Sequence, residues 1–276
     1  MGRIKLVALD LDGTLLTDDV TLEPRAREAI RRVKDKGVIV TLATGRMFSS
    51  ARPYAVELGL ELPLIVYHGA QVRHSGTGAV LYERVIPRPL ARVLIKKIKE
   101  FNYAYNVYLD DRLYVEHIQT ENEEYAWRAG VELHQVEDME ALLEQQPQGP
   151  LKIVALNEGP ALDPLEAAIR REVGDGIYIT RSLPTYLELL HPEVNKARGL
   201  QALAELEGIR PEEIMVFGDS YNDVQMFRYA GLAVAMANAP AEVRAAADYV
   251  TGSNNDGGVA QALEKFILQD GAPYGG

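Results

Sequence analysis

The chain has 276 residues, of which 47% are apolar, so it can form one large or two modest globular domains with a real core. Its 29 basic and 40 acidic residues leave a net charge of −11, which disfavours nucleic acid and anionic membranes as partners. The absence of cysteine excludes disulfides, thiolate metal sites and a cysteine nucleophile. No apolar run approaches the roughly 20 residues of a membrane span. We therefore expect a cytoplasmic protein, a monomer or a small homo-oligomer.

Strands and helices alternate in the first 84 residues. The run at 6–9 is apolar without alternation, which is typical of a strand covered on both faces of a parallel sheet. A helix, a second buried strand at 38–43, another helix and a third strand at 64–67 follow. The Ser-Gly-Thr-Gly segment at 75–78, between two short strands, then predicts a hairpin. This order favours a parallel sheet with a hairpin after its third strand.

The pattern changes between residues 85 and 186, where helices and alternating strands follow each other without a strict order. We interpret this region as a second, α+β domain. The alternation of strand and helix returns at residue 187 and includes a strand at 214–217. The sequence therefore predicts an α/β fold in which a parallel-sheet core, residues 1–84 and 187–276, carries an inserted domain, residues 85–186.

Acidic side chains follow two of the predicted core strands. Asp10 and Asp12 come after the first strand, and Asp219 follows the strand at 214–217. Taken alone, Asp10 and Asp12 would also fit an ordinary exit from strand to loop. Because the carboxyl ends of parallel strands meet at one edge of the sheet, we expect the three carboxylates to converge. Such an oxygen site suits Mg²⁺, and Ca²⁺ is a weaker candidate because few side-chain ligands are present.

Other polar residues lie at the same predicted edge. Thr44 and Gly45 follow the second strand, although this pair also fits a simple turn. Asn222 and Asp223 lie at a helix start, where free N–H groups favour an anion, or where the two side chains merely cap the helix. Lys196 lies at another helix start, an unfavourable position for a cation unless phosphate or aspartates compensate. The alternative for Lys196 is a solvated surface lysine.

Four motifs, taken in chain order, resemble those of the haloacid dehalogenase superfamily. They are Asp10-Leu11-Asp12-Gly13-Thr14-Leu15, Thr44-Gly45-Arg46, Lys196, and Gly218-Asp219-Ser220-Tyr221-Asn222-Asp223. The insertion resembles the type IIB cap. The segments that resemble the Cof-like sugar-phosphatase branch are Val234-Ala235-Met236, Asn238-Ala239 and Asn254-Asn255-Asp256-Gly257-Gly258-Val259. The resemblance implies a Rossmann-like hydrolase core, Mg²⁺, an aspartyl-phosphate intermediate and a small phosphorylated metabolite as the substrate.

The resemblance also implies a role for each site residue. Asp10 would be the nucleophile and a metal ligand, and Asp12 the general acid/base with its backbone carbonyl on the metal. Asp219 would be the third protein ligand, and Asp223 would support the metal's waters. The phosphate-binding residues would be Leu11, Thr44, Gly45, Lys196 and Asn222.

Three positions depart from the family's pattern. They are His68, where Asn is frequent, and Ala197 and Ala237, where Gly is common. None is a predicted nucleophile or metal ligand, but His68 could alter substrate contacts. Two other functions fit the same residues, namely a sugar phosphomutase and a non-catalytic phosphate-binding regulator. The regulator is disfavoured because binding alone does not require both Asp10 and Asp12.

Overall fold

The computed structural model describes residues 3–269, which divide into two compact units. The first unit comprises residues 3–44, 51–82 and 195–269, and the second comprises residues 45–50 and 83–194. Within residues 3–269, no helix has both the length and the apolar character needed to cross a membrane.

A parallel sheet, five-stranded within the described residues, forms the centre of the first unit. In spatial order its strands are β14 (Tyr249–Val250), β13 (Leu232–Ala235), β12 (Ile214–Gly218), β1 (Leu6–Leu9) and β2 (Ile39–Leu42). β1 pairs in parallel with both β12 and β2, and all four of its side chains are buried. The predicted parallel sheet is confirmed, with the first strand flanked on both sides.

A second, antiparallel sheet of the first unit extends the end of β2. In order along the chain its strands are β3 (Pro63–Val66), β4 (Gln71–His74) and β5 (Val80–Glu83), the last residue of which is grouped with the second unit. A single parallel bridge joins Ala43 to Ile65 of β3. β4 and β5 form the predicted hairpin.

Helix α1 (Pro24–Asp35) contacts helix α10 (Gly258–Leu263), and helix α7 (Lys196–Glu207) contacts β3 and β4. The helices outside the insertion are α1 (Pro24–Asp35), α2 (Phe48–Glu57), α7 (Lys196–Glu207), α8 (Val224–Tyr229), α9 (Ala241–Ala245) and α10 (Gly258–Leu263). A π-helical turn, Glu264–Leu268, follows α10. α1 shows the expected apolar stripe, because Ala26, Ala29, Ile30 and Val33 are its buried residues.

The second unit contains a sheet that has six strands within the described part of the chain. In spatial order they are β10 (Tyr178–Thr180), β11 (Tyr186–Leu190), β9 (Lys152–Leu156), β6 (Ala104–Leu109), β7 (Arg112–Val115) and β8 (Leu133–Gln135). Its helices are α3 (Arg88–Glu100), α4 (Thr120–Ala129), α5 (Met139–Gln145) and α6 (Leu162–Val173). This composition matches the predicted α+β insertion.

The two faces of this sheet differ in polarity. One face contributes Val107, Ile153 and Leu187 to an apolar core shared with α3, α5 and α6. Side chains alternate between faces along a strand, so Tyr108, Lys152 and Glu188 lie on the opposite face. There Lys152 Nζ lies 2.8 Å from a Glu188 carboxylate oxygen and 4.9 Å from the centre of the Tyr108 ring.

The predicted return to the core at residue 187 is wrong. Strand β11 pairs with β9 and β10 of the second unit, and the chain re-enters the first unit only at Asn195. An apolar strand has the same sequence pattern in either sheet, so the pattern indicates burial but not the pairing partner. Residues 45–50, predicted to lie in the core, are also grouped with the second unit. Three hydrogen bonds hold them there, including one from Ser50 Oγ to the Ala129 carbonyl (2.6 Å).

Candidate active site

Asp10 lies at the carboxyl end of β1. Its N–H group donates to the Phe217 carbonyl (3.1 Å), which continues the parallel pairing of β1 with β12, and its side chain is buried. Asp219 directly follows β12. Because the two strands are parallel neighbours, both carboxylates lie at one edge of the sheet, as predicted.

A tight turn follows Asp10 and approaches Asp219. The Leu11 carbonyl accepts hydrogen bonds from the N–H groups of Leu15 (3.1 Å) and Leu16 (2.9 Å). Gly13 lies in this turn with φ of 78°, and a Cβ atom added there would lie 2.5 Å from Asp219 Oδ2. Both the backbone conformation and the close approach therefore require glycine.

Three carboxylates form a cluster at this edge. Asp10, Asp219 and Asp223 each offer an oxygen, and these oxygens all lie within 4.8 Å of one another. Asp223 Oδ2 accepts from the N–H groups of Asp219 (3.1 Å) and Ser220 (3.0 Å). These two backbone donors hold the Asp223 carboxylate in place. Thr14 Oγ1 donates to Asp219 Oδ1 (2.8 Å). The cluster is thus held in place by hydrogen bonds from backbone and side chain.

Lys196 supplies a positive charge to this cluster. Its side chain is 1% exposed, and Nζ lies 2.5 Å from Asp10 Oδ1 and 2.7 Å from Asp223 Oδ1. Lys196 is the first residue of α7, and the Asn195 side chain caps this helix by accepting from the Arg198 N–H (2.9 Å). The two carboxylates therefore compensate the unfavourable position of a cation at a helix start. The alternative of a solvated surface lysine is wrong.

The charges of the cluster shift the pKa values of its members. Burial alone lowers the pKa of Lys196, but Asp10 and Asp223 raise it by more, so its ammonium stays protonated. Burial raises the pKa of Asp10 well above its usual range, the Lys196 charge lowers it, and Asp223 and Asp219 raise it again. Burial, followed by the Asp223 charge, likewise raises the pKa of Asp219.

With three carboxylates and a single ammonium, the cluster has an excess of negative charge when its aspartates are ionised. A further cation would relieve the repulsion among three carboxylates and favour their ionised form. The donor set consists of carboxylate oxygens, which are the ligands that Mg²⁺ prefers. The residues present therefore fit a hard divalent cation.

Asp12 lies outside this carboxylate cluster. Its side chain is exposed, and its backbone forms a bridge with Leu16 in the turn after β1. The side chain of Leu11 is fully buried, so only its backbone is available for phosphate.

The other predicted phosphate ligands lie on separate loops. Thr44 is buried after β2, where its N–H donates to the Ile65 carbonyl (2.9 Å) and its carbonyl accepts from the His68 N–H (3.0 Å). Asn222 is half-buried, and its Nδ2 lies 3.4 Å from His68 Nδ1. The departure at His68 therefore lies beside a predicted phosphate ligand. Gly45 is grouped with the second unit, where its carbonyl accepts from Lys152 Nζ (3.2 Å).

Thr14 belongs to the site although the sequence did not single it out. Its hydroxyl orients Asp219, as described above. The available signal was its place within the first motif, directly after Gly13.

Comparisons with known proteins agree with this geometry. The family model of haloacid dehalogenase-like hydrolases matches residues 7–263. The chain belongs to this family. The predicted family, the enzyme class and the α/β hydrolase fold are thereby confirmed.

This haloacid dehalogenase-like hydrolase is similar over most of its length to relatives that are named as phosphatases. It is 30% identical to the 5-amino-6-(5-phospho-D-ribitylamino)uracil phosphatase YitU of Bacillus subtilis, over 95% of this chain and 97% of that protein. It is 29% identical to the pyridoxal phosphate phosphatase YbhA of Escherichia coli, over 96% of this chain and 99% of that protein. A haloacid dehalogenase-like hydrolase from Bacteroides thetaiotaomicron superimposes with a TM-score of 0.88 at 29% identity, covering 96% of this chain and 100% of that one.

Proposed function

We propose that this hydrolase is a Mg²⁺-dependent phosphatase that acts on small phosphorylated metabolites, sugar phosphates above all, through an aspartyl-phosphate intermediate. The observation that carries the proposal is the buried contact between Lys196 and Asp10 inside a cluster of three carboxylates. A carboxylate nucleophile and a phosphate dianion repel each other, and a buried ammonium beside the nucleophile lowers that repulsion. The same arrangement supplies both the attacking group and its charge compensation.

The proposed reaction has two steps, both on Asp10. In the first, an Asp10 oxygen attacks phosphorus, the bond to the leaving oxygen breaks, and Asp12 gives that oxygen a proton. In the second, Asp12 takes a proton from water, the water oxygen attacks phosphorus, and the bond to Asp10 breaks to release phosphate. The exposed side chain of Asp12 suits a group that meets both the leaving group and water.

The remaining residues hold the metal and the phosphoryl group. Asp10, Asp219 and the Asp12 carbonyl would bind Mg²⁺ directly, and Asp223 would support its waters. The bound metal would neutralise charge on the phosphoryl oxygens. The phosphoryl oxygens would contact Lys196, Thr44, Asn222 and the backbone of Leu11 and Gly45.

We further propose that the second unit is the cap that excludes bulk water and selects the leaving group. Within this unit the half-buried rings of Tyr125 and Tyr186 lie 5.1 Å apart, and partly exposed aromatic rings of this kind can contact a sugar or a planar ring. The relatives at about 30% identity act on different phosphate esters, so similarity alone does not name the substrate. The proposed setting is a cytoplasmic monomer or small homo-oligomer with a metabolite as its partner.

The decisive experiment compares Asp12→Asn with Asp10→Asn. Asp12→Asn keeps the nucleophile and the backbone carbonyl, so it should still bind Mg²⁺ and lose about 10²- to 10⁴-fold in turnover. With an aryl phosphate, whose leaving group needs little protonation, this variant should accumulate aspartyl phosphate. Mass spectrometry of the quenched protein should then find one phosphoryl group on the peptide that carries Asp10. Asp10→Asn should give no labelled peptide, and a label on a serine or histidine would contradict the mechanism.

A further inference from the structure

Asparagines near the C-terminus reach back to the turn that follows Asp10. Asn238 Nδ2 donates to the Gly13 carbonyl (2.8 Å), and Asn238 Oδ1 accepts from the Asn254 N–H (3.1 Å). Asn254 Nδ2 then donates to the Leu16 carbonyl (3.0 Å). The contacts of Asn238 with Gly13 and of Asn254 with Leu16 join residues 225 and 238 positions apart in the chain.

Asp18 is bound by the same group of asparagines. Its Oδ1 accepts from Asn254 Nδ2 (2.9 Å), its Oδ2 accepts from Asn255 Nδ2 (2.8 Å), and its N–H donates to Asn255 Oδ1 (3.0 Å). The hydrogen bonds from Asn254 and Asn255 lower the pKa of Asp18, which keeps it an ionised acceptor. Asn254 is buried, whereas Asn255 is exposed. Asn254 therefore holds two points of the turn, Leu16 and Asp18, and Asn255 holds only Asp18.

The turn held in this way carries Asp12. A backbone bridge joins Asp12 to Leu16, and the Leu16 N–H donates to the Leu11 carbonyl (2.9 Å). The Asp12 side chain is attached to this backbone, so a shift of the turn that Asn254 and Asn238 hold would move the carboxylate relative to the leaving group.

We propose that Asn254, with Asn238, is a positioning residue for Asp12. By binding the Leu16 carbonyl and the Asp18 carboxylate, Asn254 fixes the backbone from which Asp12 presents its proton to the leaving oxygen. The proposal rests on the proposed phosphatase function. The segment that begins Asn254-Asn255 takes no part in the proposed metal and phosphate contacts, and the proposal gives Asn254 a role.

The test measures how Asn254→Ala changes activity toward two kinds of substrate. Hydrolysis of an alkyl phosphate depends on protonation of a poor leaving group, so kcat should fall about ten- to a hundredfold. This loss is smaller than the whole rate contribution of general acid catalysis, about 10²- to 10⁴-fold, because Asp12 itself is still present. Hydrolysis of p-nitrophenyl phosphate needs little protonation in the first step, so formation of aspartyl phosphate, followed as the burst of p-nitrophenol, should fall less than threefold. The exposed Asn255→Ala, which removes contacts to Asp18 alone, is the matched control and should change both rates less than threefold. An equal loss on both substrates would mean a merely structural role and overturn the proposal.

A second readout does not depend on turnover. Amide hydrogen exchange of residues 13–17, none of which donates to Asn255, should rise at least tenfold in Asn254→Ala and stay near wild type in Asn255→Ala. If the amides of Asn254→Ala stay protected, the positioning role is refuted. If the wild-type protein hydrolyses no phosphate ester, the proposed function is refuted, and the exchange measurement still decides whether Asn254 holds the turn. If Asn254→Ala does not fold, the exposed Asn238→Ala carries the test. Asn238→Ala should also lose more activity on the alkyl phosphate than on p-nitrophenyl phosphate. Equal losses on the two substrates would overturn the proposal.

Discussion

Replacement of Lys196 with Met tests how the candidate site is held together. The substitution keeps an unbranched apolar chain of similar length and removes the ammonium group. That group is buried and lies 2.5 Å from Asp10 Oδ1 and 2.7 Å from Asp223 Oδ1. Lys196→Met therefore leaves two buried carboxylates without this partner, and a third, that of Asp219, is close by.

The size of the effect follows from these distances. At an effective dielectric constant of about 20, each charge pair at this separation contributes roughly 6 kcal/mol before the cost of dehydration. Removal of one partner from a buried pair typically costs about 3–5 kcal/mol. For a protein of this size we expect the unfolding midpoint to fall by roughly 6–20 °C. Since the pKa of Lys196 is raised above its usual 10.5, the stabilisation is fully present below that pH and is lost as the pH rises beyond it.

The assay is differential scanning calorimetry of both proteins in EDTA and again in Mg²⁺. Mg²⁺ should restore part of the lost stability, because a divalent cation neutralises the same carboxylates. Lys5→Met is the matched control, since Lys5 is exposed and water screens its ion pair with Glu213 (2.8 Å), so the midpoint should fall much less than in Lys196→Met. In activity, Lys196→Met should lower kcat/KM by about ten- to a hundredfold. An unchanged midpoint together with an unchanged kcat/KM would refute the reasoning.

Three further predictions concern other parts of the molecule. Lys152→Met should destabilise the second unit by about 3–5 kcal/mol in calorimetry, because Glu188 stays buried without its cation, and adding Glu188→Leu should recover most of the loss. Burial raises the pKa of Glu116, but hydrogen bonds, chiefly from Lys99, leave it below the usual 4.5. Its stabilisation is therefore present above pH 4.5 and lost below it, so Glu116→Gln should flatten the acid side of a urea-unfolding profile. Gly13→Ala should cost about 1–3 kcal/mol in strain and weaken Mg²⁺ binding in titration calorimetry, because its methyl group would strike a carboxylate of the cluster.

The sequence alone determined the local structure and the identity of the chemical groups. A continuous apolar run marks β1 as a strand buried on both faces, and its last residue leads directly into Asp10. Alternation of strands with helices predicts parallel strands, whose carboxyl ends share one edge of a sheet. These two facts suffice to bring Asp10 and Asp219 together before any coordinates are known. The roles of single residues came from the motif resemblance and remain proposals.

Only the tertiary structure decided which distant segments touch. The apolar pattern of β11 is compatible with either sheet, and only its pairing with β9 assigns it to the second unit. For Lys196 the sequence allowed either compensation by phosphate or aspartates or exposure to solvent, and only the structure shows the side chain buried against Asp10 and Asp223. The contact of Asn254 with the Leu16 carbonyl is a single hydrogen bond between residues 238 positions apart in the chain. Periodicity reports whether a residue is buried, whereas a partner far along the chain is chosen by packing of the whole fold.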